Sequence, residues 1–170
     1  MSKSVLLSIR PKWCELIGSG DKTIEVRKTR PALPTPFKVY IYCTNGKYPH
    51  EDFLCFDAGT NKIKAFYGGG MVIGEFICDK IPDICISCSD PNMNGLPIPC
   101  TGLTDKEIMD YLGNGKVGYG WHISNLVIYD EPKDISAFKH WIDTGMWSRL
   151  VPISRAPQSW CYVEVKDARD

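Results

Sequence analysis

The stretch Leu16-Ile17-Gly18-Ser19-Gly20-Asp21-Lys22-Thr23-Ile24-Glu25-Val26-Arg27-Lys28 decides how this chain is read. Just before it, Pro11 can open a helix, and Trp13, Leu16 and Ile17 fall at helical spacing. Gly18 and Gly20 stop that helix. From Lys22 to Lys28 the period becomes two. Ile24 and Val26 share one face, and Thr23, Glu25 and Arg27 share the other. A helix, a glycine turn and a strand therefore bring Lys22, Glu25 and Arg27 together. Gly20 allows close approach to the backbone. Lys22 offers a point charge for phosphate, and Arg27 a planar fork for phosphate or a base edge. Glu25 can fix Arg27 or accept a hydrogen bond from a base amino group. The same residues also fit a plain surface Glu25–Arg27 ion pair, which contributes little.

Further strands and helices follow on both sides. Val5–Ile9 alternates as a first strand, and 30–36 holds three prolines, as an extended loop does. Strands are expected at 38–43, 71–78, 120–129 and 160–165. A helix is expected at 104–111, with Thr104 as N-cap and Glu107 completing a capping box. Residues 135–141 read as a short helix or turn. Two long irregular connections, about 44–70 (with room for a short hairpin) and 82–100, separate short strands, which points to a closed or half-closed barrel. No repeat or low-complexity linker divides the chain. The expected organisation is one domain over 1–166 with a polar tail at 167–170.

The 170 residues are 44% hydrophobic and 24% charged, ordinary for a globular protein. Net charge is zero, yet residues 1–38 carry eight basic against three acidic side chains. That surplus favours a local anionic ligand over coating of duplex DNA. No apolar run approaches the roughly 20 residues of a membrane helix, and the apolar N-terminal stretch is too short for a signal peptide. A cytoplasmic location without membrane contact is expected. The eight cysteines are then expected to be reduced. Cys85-x-x-Cys88, with Cys78 and Cys100 nearby, is a weak zinc candidate, because no second C-x-x-C or H-x-x-H pair accompanies it. No cofactor is expected.

Trp121 and His122 follow a glycine-rich turn, and one of the two can line a cleft, since consecutive strand residues face opposite ways. Aromatic faces beside basic groups are what unstacked bases use. Trp160 and Tyr162 can form another wall, although a tryptophan in such a strand is more often core. His140 reads as structural and His50 as exposed.

Gly20-x-Lys22-x-x-Glu25-x-Arg27 resembles the G-x-K-x-x-E-x-R signature of ASCH domains, members of the PUA-like superfamily. The resemblance extends to Ser8-Ile9-Arg10-Pro11, Glu15-Leu16-Ile17, Gly118–Leu126, Ile128–Pro132 and Pro157–Cys161, as in bacterial or phage members. It implies an α+β fold, a small PUA-like β-barrel with flanking short helices, and a basic cleft that binds RNA or a modified nucleotide. Gly20, Lys22, Glu25, Arg27, Trp121 and His122 are the implied ligand-binding residues. Some family members are metal-independent hydrolases of N4-acetylcytidine or of RNA. For such chemistry Lys22, Glu25 and His122 are the catalytic candidates. However, Glu25 stands where the amidohydrolases carry a threonine nucleophile, Thr23 lies two residues earlier, and Glu107 is only a loose match for their helical acid. The expectation is therefore a binder rather than an enzyme, with Lys22, Glu25 and Arg27 lining one cleft. Arg27→Ala should then weaken ligand binding more than the fold. A structural Glu25–Arg27 pair would instead lower the melting temperature of both single variants, with strong non-additivity.

Overall fold

A computed structural model describes residues 3–45, 53–57, 62–66, 69–85, 98–113 and 116–164. In chain order the elements are β1 (Ser4–Ile9), α1 (Pro11–Ser19), β2 (Ile24–Arg27), β3 (Phe37–Cys43), β4 (Phe53–Asp57), β5 (Lys62–Phe66), β6 (Met71–Cys78) and β7 (Asp83–Ile84). After a 3-10 turn at Ile98–Thr101 come α2 (Asp105–Leu112), β8 (Gly118–His122), β9 (Ser124–Asp134), a second 3-10 turn at Ile135–Ala137, β10 (Lys139–Asp143), β11 (Ser148–Pro152) and β12 (Trp160–Val163). Among these helices none is long and apolar enough to cross a membrane.

The main sheet has the order β12-β1-β3-β6-β9, with β1 and β3 parallel and the other neighbours antiparallel. All six residues of β1 are buried, so both faces of this sheet are covered. Alternation sorts the side chains. Val5, Leu7, Ile9, Val39 and Ile41 join Cys14 and Ile17 of α1 and Trp121 of β8 on one face. Leu6, Tyr40 and Tyr42 meet Phe138 and Ile153 on the other. A second sheet, β2-β8-β7, lies on the Trp121 side. Its far face is covered by α2 through Val26, Ile108 and Leu112. Beta strands β4–β5 and β10–β11 form two separate hairpins.

The fold is thus mixed α+β. The barrel expected from the short strands is not formed by these pairings: the five-stranded and three-stranded sheets are open and separate among the described residues. Two local expectations also change. The strand expected at 120–129 is two, β8 and β9, divided at Ile123, whose N–H donates to the Thr23 carbonyl instead. The helix or turn expected at 135–141 is one 3-10 turn running straight into β10, which pairs with β11 from Lys139↔Pro152 to Asp143↔Ser148. Other expectations hold. The excursion at 44–70 carries the β4–β5 hairpin. Helix α2 has its capping box, with Thr104 Oγ1 accepting from the Glu107 N–H and the Glu107 carboxylate accepting from the Thr104 N–H at 2.9 Å.

Candidate functional site

Helix α1 ends at Gly20, which adopts φ +86°, a left-handed conformation that favours glycine. A Cβ there would meet nothing within 4 Å. The turn geometry, rather than close approach of a ligand, therefore selects this glycine. The turn returns the Lys22 N–H to the Leu16 carbonyl, 2.9 Å away, and Thr23 then hydrogen-bonds Cys100. These bonds fix where β2 begins.

Strand β2 shows the expected alternation, but all four of its residues are buried. Val26 faces α2. Glu25 and Arg27 sit on the opposite face, where their partners across the ladder are Trp121 and Tyr119 of β8. That face looks into the protein, so the polar edge expected to line an open cleft is interior. Lys22 is 1%, Glu25 6% and Arg27 9% exposed.

One carboxylate bridges both cations. Glu25 Oε2 lies 3.2 Å from Lys22 Nζ, and Glu25 Oε1 lies 3.0 Å from Arg27 Nη2. Lys22 Nζ also donates to the Ile24 carbonyl at 2.8 Å and to the Thr101 carbonyl. An ammonium has three N–H donors. All three of these are engaged, so Lys22 ties β2 to the 98–101 turn and has no N–H left for a phosphate. Burial lowers its pKa below the ordinary lysine value, against the opposing pull of Glu25. The Trp13 ring lies 5.4 Å from its nitrogen.

Arg27 is differently placed. Its Nη2 also donates to the Ser8 carbonyl of β1 at 2.5 Å, but its Nε is buried with no partner among the described residues. The indole Nε1 of Trp121 is likewise buried and without a partner. Trp121 is fully buried, packed edge-on against Phe37 at 5.8 Å and tilted against Trp160 at 5.9 Å. Two donor groups therefore stand on adjacent strands, on the same face, beside an ion triad with one surplus positive charge. Buried donors are rarely left unpaired, at a cost of about 1–3 kcal/mol each.

His122 points the other way, as neighbouring strand residues must. Its Nδ1 lies 2.6 Å from Asp79 Oδ1 near the surface. Desolvation is the largest single effect on Asp79 and works against its ionised form, but the hydrogen bond and charge of His122, together with Lys80, outweigh it and lower the carboxyl pKa. Sequence candidates thus separate: Lys22, Glu25, Arg27 and Trp121 come together, and His122 lies on the opposite face of the same sheet. Glu107 holds the α2 cap rather than an acid position. Cys88 and His50 lie outside the described residues, and among the described residues no group of three or more His, Cys, Asp or Glu could hold a metal. Sequence reasoning missed the carbonyls of Ser8 and Thr101 and the Asp79 partner. Backbone acceptors carry no residue signal, and Asp79 is distant in sequence from His122.

No protein-family model matches this chain, and no curated protein does. Solved structures do match. A crystal structure of a serine-to-alanine variant of ASCH from Zymomonas mobilis is similar over 95% of this chain and 88% of its own, with TM-score 0.60 at 15% identity. The crystal structure of ASCH from the same organism covers 95% and 87%, with TM-score 0.54 at 15% identity. A tyrosine-to-phenylalanine variant covers 96% and 91%, with TM-score 0.53 at 16% identity. With nearly the whole chain superposable on these structures, the protein has an ASCH-type fold.

Proposed function

We propose that this protein binds RNA or a nucleotide, modified or not, at the β2–β8 face, which is closed here and opens on binding, so that Arg27 Nε and Trp121 Nε1 donate to acceptor atoms of the ligand. The carrying observation is the pair of buried, unpartnered donors beside the Lys22–Glu25–Arg27 triad. Donors of this kind match base carbonyls, ring nitrogens or phosphate oxygens. Lys22 and Glu25 act as scaffold: they hold Arg27 and supply the surplus charge that favours an electron-rich ligand.

The test is calorimetric titration of nucleosides, nucleotides and short single-stranded RNAs into the parent and into Arg27→Lys, which keeps the charge and loses the planar fork. A roughly 10- to 100-fold loss of affinity is expected for one charge-assisted contact. Equal affinity in both folded proteins refutes the assignment of Arg27. The His122–Asp79 pair favours a second reading, a hydrolase of RNA or N4-acetylcytidine in which the carboxylate orients the imidazole as a base. Product analysis by mass spectrometry separates the two. Turnover that disappears in Asp79→Asn would establish the hydrolase, and its absence leaves the binder.

A further inference from the structure

A second surface lies away from the triad. The β10–β11 hairpin packs along the end of β12, and a groove of about 320 Å³ opens between them, lined by Lys3, His140, Trp141, Cys161, Tyr162 and Glu164 among others. Its size is at the lower end of small-ligand sites. Trp141 is 51% exposed, and its indole N–H donates to Glu164 at 2.5 Å, which fixes the ring and leaves its face to solvent. Tyr162 forms part of the groove lining, with Lys3 Nζ 5.1 Å from its ring centre. The groove therefore combines two aromatic rings, a flexible cation, an imidazole and a carboxylate acceptor.

Ring contacts also link the groove to the first site. Trp121 touches Trp160 at 5.9 Å, and Trp160 touches Tyr162 at 5.4 Å. A row of rings thus leads from the triad to the groove, with its last two members partly open to solvent. Farther along the hairpin, Arg149 lies over the exposed Trp147 ring at 5.1 Å. Aromatic faces alternating with cations suit single-stranded nucleic acid, whose bases stack while its phosphates meet the cations. A duplex, with its bases stacked inside, does not use such a groove.

We infer that this groove takes one unstacked base of a single strand, stacked against Trp141, with Lys3 on the adjoining phosphate. The inference rests on the reading that the ligand is a nucleic acid, but uses none of the residues of the β2–β8 face. It makes the protein a two-point binder, in which the strand leaving the first site follows the ring row to the second.

The experiment compares uridine monophosphate with an oligouridylate of about ten nucleotides, within the span such surfaces cover. The proteins are the parent, Trp141→Ala, Trp141→Phe, Lys3→Ala and Arg27→Lys, each checked by thermal melting. Trp141→Ala should lose roughly 10- to 100-fold in affinity for the oligomer, Trp141→Phe should recover most of it, and mononucleotide binding should be unchanged. Oligomer binding that is the same in parent, Trp141→Ala and Lys3→Ala overturns the groove and leaves the β2–β8 reading intact. Loss in Trp141→Ala with full binding by Arg27→Lys supports the groove and overturns the β2–β8 reading. A parent that binds the mononucleotide but not the oligomer overturns the groove alone; a parent that binds neither overturns both, and reassigns exposed Trp141, Met146 and Trp147 to a protein partner.

Discussion

Replacing Glu25 by glutamine should destabilise the protein more than any other single charge removal described here. The change deletes the one anion between Lys22 and Arg27, which lie 3.2 and 3.0 Å away and are almost entirely buried. At an effective dielectric of about 20, each contact has an attraction of about 5 kcal/mol. Much of that is offset in the native protein by desolvation of three charges and by repulsion between the cations. After the change the desolvation remains and the attraction is gone. Breaking a buried pair from one side costs about 3–5 kcal/mol. The glutamine oxygen can still accept one hydrogen bond, which puts the value near about 3 kcal/mol. A domain of this size has about 5–15 kcal/mol in total. The melting temperature should fall by about 6–12 °C. Urea unfolding of the parent, Glu25→Gln, Arg27→Met and the double variant measures it. The singles should be strongly non-additive, because Arg27→Met relieves part of what Glu25→Gln exposes. A loss below about 1 kcal/mol for Glu25→Gln would refute the reasoning and return the pair to a solvated surface contact. The buried position of Arg27 also revises the expectation that Arg27→Ala weakens binding more than the fold: Arg27 holds β2 to the Ser8 carbonyl, so its truncation should cost stability as well as affinity.

Other expected outcomes test the frame around the site. Thr104→Ala removes the α2 cap and should cost about 1 kcal/mol by denaturant unfolding, loosening the helix that covers Val26. Gly74→Ala would place a Cβ 2.5 Å from the Val127 carbonyl in the β6–β9 ladder, so it should destabilise by about 2 kcal/mol or more. Burial raises the Cys161 thiol to about 11, so alkylation by iodoacetamide at pH 8 should run about 100-fold slower than for a free thiol. For Glu75, desolvation is outweighed by hydrogen bonds from Lys38 and Tyr129, and its pKa is lowered. Its contribution is therefore present above the unfolded carboxyl value and lost as pH falls through the folded one, and Glu75→Gln should flatten the acid limb of the stability profile.

What the sequence showed was what neighbouring residues decide. The α1 helix follows from Pro11 and its apolar spacing, the α2 cap from Thr104 and Glu107, and the pairing of Glu25 with Arg27 from alternation. What it hid was what covers each face. Nothing near β2 says that β8 brings Trp121 opposite Glu25, so a polar face read as open is interior. Ile135, Phe138 and Trp141 fall three apart and mimic a helix, whereas tertiary pairing with residues 148–152 makes a strand of 139–143. Strand length and number did not reveal closure, because whether two sheets join depends on edges far apart in the chain.

The most direct measurement is NMR of the Arg27 Nε–H and the Trp121 indole N–H during titration with a nucleotide and with a short single-stranded RNA. Both protons should move downfield together, as they gain an acceptor, with saturation at one ligand per chain. Binding that leaves both resonances unmoved would contradict the central claim and place the ligand elsewhere on the protein.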